Sequence, residues 1–569
     1  VPEQPSTAPL VRRFVGAAVD AADPAAISDL YAQLAARPLP DHAVLVAWIR
    51  DWDEVTALAD EVYNAAYITM SCNTADPAAE AHYLRVLEEL LPVLERNNFQ
   101  LQRKLLDAPA LAELDAVQYG TFLREVRARV ALFREANVPL QTAVQKMEQE
   151  YDKITGSQMV DFQGEQRTMQ QMAVFLEENE RTLREAAWRA RDAVRAADEA
   201  TLDDLYDRML PVRRQIARNA GYANYRDYTF ADKLRFDYTP ADCLAFHAAI
   251  ERHVVPVVTE FNARRRRLLG YDRIRPWDTQ VDPAGRPPLR PFGEVADLIA
   301  GCRRIFTQLD PELSGFYNAM VDGQLLDLGS RPGKAPGGYM TSLRERRVPF
   351  IFMNAVGLKR DVDTLLHEGG HAFHYFLARE QPLQAYHHAG HEFSEVASMS
   401  MELLARPYLG AFYTPEQLAG LRDDQIRESL SFLPFMAMID AFQHWVYTTE
   451  QPDAAARRAY WAALEARFRP DVDWRGLAGT RDSGWQYPHI FTVPFYYVEY
   501  GIAQLAALRI WLNSLTDERG AVQAYKQALA LGGSRPLPEL FQAAGAEFGL
   551  HDRIVGEIVA GAVGQIASV

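Results

Sequence analysis

Cysteine is nearly missing from this chain: Cys72, Cys243 and Cys302 are the only three, far apart and without metal or redox spacing. That excludes a disulfide-stapled scaffold and predicts free structural thiols in a reducing cytoplasm. Nowhere do about 18 apolar residues follow one another, so no membrane-spanning helix is expected. The opening "VPEQPSTAPLVRRF" has no apolar core of signal-peptide length. Its first residue is not Met, which is compatible with a processed or trimmed start; a cytoplasmic location is the default. Basic residues are also short, at 60 Lys plus Arg against 76 Asp plus Glu, a formal charge of −16. Such an acidic balance argues against nucleic acid or anionic membrane as the main partner. The run Arg264–Arg267 is the one basic cluster and reads as a solvated helix face. Repeats, low-complexity tracts and flexible linkers are absent as well.

What remains is the composition of a globular enzyme, 48% hydrophobic and 24% charged over 569 residues, enough for a large core. Up to about Ala220 the pattern is helical. Leu84, Leu87, Leu91 and Leu94 recur at three- and four-residue steps, and Phe175, Leu176, Leu183 and Trp188 suggest one long amphipathic run. These stripes read as core. "GYANYRDYTF", residues 221–230, reads as a break between helices. After Gly270 five prolines in nineteen residues (274–292) exclude a long helix. A proline- and glycine-rich loop at 326–340 leads into "VPFIFMN" (Val348 to Asn354), which reads as a buried strand and as an edge able to pair with an extended peptide. Helical periodicity resumes near Asp361. These signals predict an N-terminal helical lobe over 1–220 and a catalytic region over 221–569, packed as one mostly helical unit with a small sheet beside the motif helix.

The motif is "TLLHEGGHAFHYF", Thr364 to Phe376. His367 and His371 are four apart, so a helix puts both imidazoles on one face, able to meet at one cation. Glu368 is turned by about 100°, placed to take a proton from water without being a ligand, as in zinc peptidases. The metzincin extension would need Gly at 374 and His at 377, where this chain has His374 and Leu377. A carboxylate from a following helix is the alternative. "HEFSEVASMSMELLA" offers Glu392, Glu395 and Glu402; Glu395 is the best candidate, with Phe393, Val396 and Met399 expected to pack around it. Its ordinary reading, a solvated helix carboxylate, gives way because two histidines need a third protein ligand. Glu402 and His374 suit partners that orient a ligand histidine. His387, His388 and His391 offer an alternative nitrogen-rich site, though "YHHAGH" reads better as a loop. Gly369 and Gly370, poor helix formers, suggest that another backbone or a substrate approaches closely there.

"TLLHEGGHAFH" followed by "FSEVASMSMELL" resembles the thimet oligopeptidase and oligoendopeptidase F group of zinc metallopeptidases. The resemblance runs through "GYANYRDY", "RPWD", "VDPAGRPPL", "GKAPGGYM" and "HIFTVPFYYVEYG", covering the last two-thirds of the chain in unbroken order. Gly369 stands where many relatives carry a bulky apolar residue. The resemblance implies a predominantly α-helical, two-lobed ellipsoid with a deep central channel, and one zinc ion per chain held by His367, His371 and Glu395. It further implies hydrolysis of short peptides, with Glu368 as base, Tyr497 and Tyr500 as oxyanion- and substrate-binding residues and His489 as a substrate-binding histidine. The residues themselves add Tyr496 as a further donor, with aromatic core as its alternative reading, and Gly337, Gly338 and Tyr339 as a loop close to the substrate backbone, with a plain structural turn as theirs. No oligomeric state is assigned. Two other readings share the motif: a helical zinc carboxypeptidase, and a non-catalytic peptide-binding protein with structural zinc, against which Glu368 argues.

Overall fold

The computed structural model describes residues 9–566, apart from positions 170, 288, 332 and 336 and the side chains at 149 and 152. The first eight residues of the opening stretch and two prolines of the 326–340 loop therefore lie outside the described residues. The fold is predominantly α-helical, with one two-stranded and one three-stranded sheet among the described residues. Six helices bear on function: α1 (Arg181–Asn219), α2 (Pro240–His253), α3 (Lys359–Ala378), α4 (His391–Leu404), α5 (Pro415–Thr448) and α6 (Tyr497–Ser514). The strands are β1 (Met159–Phe162), β2 (Glu165–Thr168), β3 (Leu326–Gly329), β4 (Tyr339–Leu343) and β5 (Val348–Ala355). None of the helices among the described residues is long and apolar enough to cross a membrane. Contacts divide the chain into two compact units. One comprises the chain up to Ala131, Arg290–Ala419 and Ala506–Phe548; the other comprises Leu132–Leu289, Gly420–Leu505 and the chain from Gly549.

In the first unit, Ile27, Leu34, Leu45, Trp48, Val55, Leu101 and Leu105 anchor a helical core. The Leu84 stripe is displaced from it. Leu84 is exposed, Leu87 and Leu91 are half-buried, and the buried positions are Val86, Leu90 and Leu94. Residues 86–90 form a π-helical turn, whose extra residue per turn shifts the inward face to four-residue steps.

The three-stranded sheet has the order β3–β5–β4, with β5 parallel to β3 and antiparallel to β4. The strand expected at Val348–Asn354 is present, but it is central and offers no free edge; its edge role is corrected to β3 and β4. Seven of its eight residues are buried: α3 packs against the strand, and Ala65, Ile68 and Cys72 pack against the cluster of Val348, Phe350 and Phe352. From β5 the chain turns into α3 over the Asp361 carboxylate, which accepts from the Val356 and Leu358 N–H groups at 2.8 and 2.9 Å. This caps donors that the first helical turn would otherwise leave unpaired.

The second unit contains a hairpin, β1–β2, inside the stretch expected to be helical. Its turn, Gln163–Gly164, has φ of 55° and 81°, the positive values that a two-residue hairpin turn demands. The run expected from Phe175 to Trp188 is likewise broken: a 3-10 turn ends at Leu176 and α1 begins at Arg181. On α1 it is Arg184, not Leu183, that is fully buried. It donates to Asp278 and to the Trp277 and Asn179 carbonyls, each at 3.0 Å. The break near residue 221 is confined to 220–224; Asn224 then caps a helix over Tyr225–Asp232.

Candidate active site

On α3 the His367 and His371 rings lie 5.0 Å apart, centroid to centroid, as four-residue spacing requires. Glu395 reaches them from α4: its Oε2 is 3.5 Å from His367 Nε2 and 3.8 Å from His371 Nε2. One donor atom from each of the three lies within 4.8 Å of the others. Three ligands at about 2.1 Å from one zinc ion in tetrahedral geometry stand about 3.4 Å from one another. The two separations from Glu395 are close to that value, so the three residues suit a shared cation. His367 and His371 keep side-chain exposures of 23% and 16%, which leaves them an approachable side.

Neighbouring groups hold the ligand atoms in place. Glu402 Oε1 lies 2.7 Å from His367 Nδ1, a contact that favours a proton on Nδ1 and directs Nε2, which faces Glu395, to a cation that displaces its proton. Burial works against a charge on His367, but the Glu395 and Glu402 carboxylates hold its pKa well above the usual imidazole value in the metal-free chain. For His371 burial prevails and lowers the pKa to about 4, so it is neutral, as a ligand must be. Ser398 Oγ donates to Glu395 Oε2 at 3.1 Å.

Glu368 is buried and outside the donor group. Burial raises its pKa to about 7; the His367 imidazole and a hydrogen bond from the Met340 N–H of β4 pull the other way. A carboxylate so poised can accept a proton near neutrality and release it again. His374 is buried edge-on to Phe393; its Nε2 has no hydrogen-bond partner, and burial lowers its pKa to about 3. The alternative histidines are not gathered. His387 faces the Gln381 carbonyl, His388 Nε2 lies 3.2 Å from Ser342 Oγ, and His391 is exposed at the start of α4.

The paired glycines have different neighbours. A Cβ on Gly370 would sit 2.5 Å from the Ala397 carbonyl oxygen and 2.6 Å from Ser398 Cα, so α4 backbone occupies that space. A Cβ on Gly369 would meet the Phe306 ring at 3.3 Å. Close approach is therefore a property of Gly370 against α4, the helix that delivers Glu395. In the preceding loop Gly337 has φ +93° with open space around it, and Asn354 Nδ2 donates to its carbonyl at 2.9 Å. Tyr339 stacks on Phe352 at 4.8 Å and its hydroxyl lies 2.6 Å from Ser71 Oγ, so its ring is committed to packing.

In the second unit His489 and the tyrosines of "PHIFTVPFYYVEYG" form their own cluster. Tyr497 and Tyr500 lie in the first turn of α6, and the His489 ring is 4.7 Å from Tyr497, 6.2 Å from Tyr500 and 6.4 Å from Tyr496. Tyr496 and Tyr500 are half-buried, and Tyr497 is buried with 7% exposure. Burial lowers the His489 pKa to about 4 and, with the neighbouring Tyr487 hydroxyl, raises that of Tyr497. Tyr487, not singled out from the sequence, joins this cluster, its ring 5.5 Å from His489 and 5.8 Å from Tyr497; it lies outside the helical repeat that links Tyr497 and Tyr500.

The motif, its downstream carboxylate and the helical context coincide with a sequence profile described as peptidase family M3, which matches residues 174–558. A second, the Peptidase M3 N-terminal domain, matches residues 26–133. The chain belongs to peptidase family M3. The resemblance to the oligoendopeptidase F branch also holds among individual M3 relatives. The chain is 24% identical over 299 residues to an oligoendopeptidase F homolog of Borreliella burgdorferi, covering 50% of this chain and 49% of that protein. It is 22% identical over 318 residues to oligopeptidase PepF of Bacillus subtilis, covering 52% and 44%. It thus spans about half the length of the curated relatives it matches. Among solved structures, one described as an oligoendopeptidase F superposes with a TM-score of 0.90 at 28% identity, covering 98% of this chain and 99% of that one. Pz peptidase A, solved with an inhibitor, superposes at 0.87 and 27% identity, covering 98% and 99%. The M3 fold accounts for the mostly helical architecture.

Proposed function

We propose that this M3 family member is a zinc-dependent oligopeptidase that hydrolyses internal bonds of short peptides. The observation that carries the reading is the partly exposed His367–His371–Glu395 group with a separate buried acid, Glu368, on the next position of the same helix. His367, His371 and Glu395 would hold one zinc ion, and zinc so held supplies an acidified water and a polarised scissile carbonyl. Glu368 takes the proton of the attacking water at its carboxylate and passes it to the departing amine nitrogen, so that one water and one peptide bond become a carboxylate and an amine. Glu402 keeps His367 in the ligating tautomer. Tyr497 and Tyr500 donate hydrogen bonds to the oxyanion and the substrate, and His489 and Tyr496 bind substrate. These four roles rest on the family resemblance and are supported by the clustering of the side chains.

The backbone of Gly337 and Gly338 is proposed to lie along the substrate; the packed ring of Tyr339 supports a backbone role there and not a side-chain one. The limit to short peptides is supported by the names of the relatives, oligoendopeptidase F and oligopeptidase PepF, and a cytoplasmic location by the composition. The test is mass spectrometry of a peptide library after digestion, with and without a chelator, using termini-blocked and free versions of each peptide. Internal cleavage of blocked peptides, lost on chelation and restored by zinc, is expected. Cleavage confined to free C-termini would shift the reading to a carboxypeptidase, and intact peptides throughout would leave a binding protein.

A further inference from the structure

The second unit holds another group of metal-binding side chains that the peptidase reading does not use. α2 carries Cys243 and His247, and α5 carries Asp440 and His444. Each pair is four residues apart, so each helix presents both side chains on one face, a turn apart. The two faces meet. His247 Nε2 is 2.8 Å from Asp440 Oδ2, and His444 Nε2 is 3.2 Å from the same oxygen. One donor atom from each of Cys243, Asp440 and His444 lies within 4.8 Å of the others. All four residues are 3% exposed or less.

Hydrogen bonding does not exhaust this group. His247 bonds Asp440 and His444 Nε2 stands against the same oxygen, yet Asp440 Oδ1 and His444 Nδ1 are buried without a hydrogen-bond partner. Phe230 and Phe495 stand edge-on to the His444 ring, at 6.0 and 5.5 Å, and supply none. Buried polar atoms left unpaired are costly, and two on neighbouring side chains call for a missing partner. The donor types name it: a thiol, an imidazole and a carboxylate are zinc ligands, and a thiolate with a carboxylate neutralises a divalent charge where water is excluded. The Asp440 oxygen bonded by His247 leaves the other oxygen available, the usual way a neighbour orients a ligating carboxylate.

We propose that Cys243, Asp440 and His444 form a second, buried zinc site that cross-links α2 to α5, with His247 orienting Asp440. The inference stands apart from the peptidase reading, because it uses none of its residues. The full chain, stripped with a chelator, kept reduced and titrated with Co²⁺ without oxygen, tests it. Two equivalents are expected to bind, with a thiolate-to-cobalt charge-transfer band that two imidazoles and a carboxylate at the α3–α4 group cannot produce. Cys243→Ser removes that band and one equivalent; His371→Ala removes the other equivalent and keeps the band. A single equivalent that carries the band supports this site and removes the α3–α4 one instead. Saturation at one equivalent without the band overturns the proposal, as does a band that persists in Cys243→Ser. Should Cys243→Ser not fold, Cys72→Ser and Cys302→Ser decide instead: a band that persists in both supports Cys243, and a band lost in either overturns the proposal.

Discussion

Two helix pairs in this molecule use the same device, side chains four residues apart brought against a second helix, and end with different chemical settings. At α3–α4 the histidines keep 23% and 16% exposure and an acid outside the donor group, Glu368, stands beside them with a pKa raised to about 7. At α2–α5 every member is buried and one donor is a thiol. The spacing alone therefore does not separate a reaction centre from a structural clasp. Access and a spare proton acceptor do, since catalytic zinc needs an open position and structural zinc does not.

The sharpest way to break the contrast is Glu368→Gln. Peptide hydrolysis should fall about 10²- to 10⁴-fold, the usual contribution of a general base, while bound zinc is unchanged; steady-state kinetics beside metal analysis reads both. Wild-type turnover would erase the distinction between the two groups. Tyr500→Phe comes next. Loss of an oxyanion donor typically adds about 2.7–4 kcal/mol to the barrier, so turnover drops while metal content holds, and full activity would remove Tyr500 from the chemistry.

Gly370→Ala tests how α4 is held. In an open helix the change would gain about 1 kcal/mol. Here the added Cβ meets α4 backbone at 2.5 and 2.6 Å, and overpacking of this kind costs about 1–3 kcal/mol. Thermal unfolding should show a net loss with weaker zinc binding, and Gly369→Ala, beside a ring edge, a smaller one. Equal effects would refute the assignment of close approach to Gly370. Smallest is Glu402→Ala, expected to weaken zinc about 10- to 100-fold by freeing the His367 ring. Competition with a chelator measures it, and no change would mean that His367 is oriented by its helix alone.

Several elements were legible because their cause is local. The four-residue histidine spacing in α3, the β-branched run of β5 and the prolines that exclude a helix over 274–292 each state their geometry within a dozen residues. The Leu84 stripe was misread because a π-helical turn leaves the three- and four-residue repeat it interrupts. The β1–β2 hairpin was missed because four-residue strands carry little periodicity and its turn uses Gln-Gly, not the stronger Asn-Gly signal. Arg184 was passed over for Leu183 because Asp278, which makes its burial tolerable, lies 94 positions away. Cys243 counts as a cysteine without metal spacing in the sequence because nothing within the Cys243–His247 segment points to Asp440 and His444.

By itself, then, the sequence determined the mostly helical fold, the family and the set of side chains able to meet a cation on α3, because helical periodicity and ligand spacing are properties of neighbouring residues. Tertiary structure decided which carboxylate faces those histidines, that β5 is central and not an edge, that Gly370 admits the α4 backbone, and that α2 and α5 place a thiol, a carboxylate and two imidazoles together. Each of those depends on the approach of segments distant along the chain, where packing and not periodicity sets the distance.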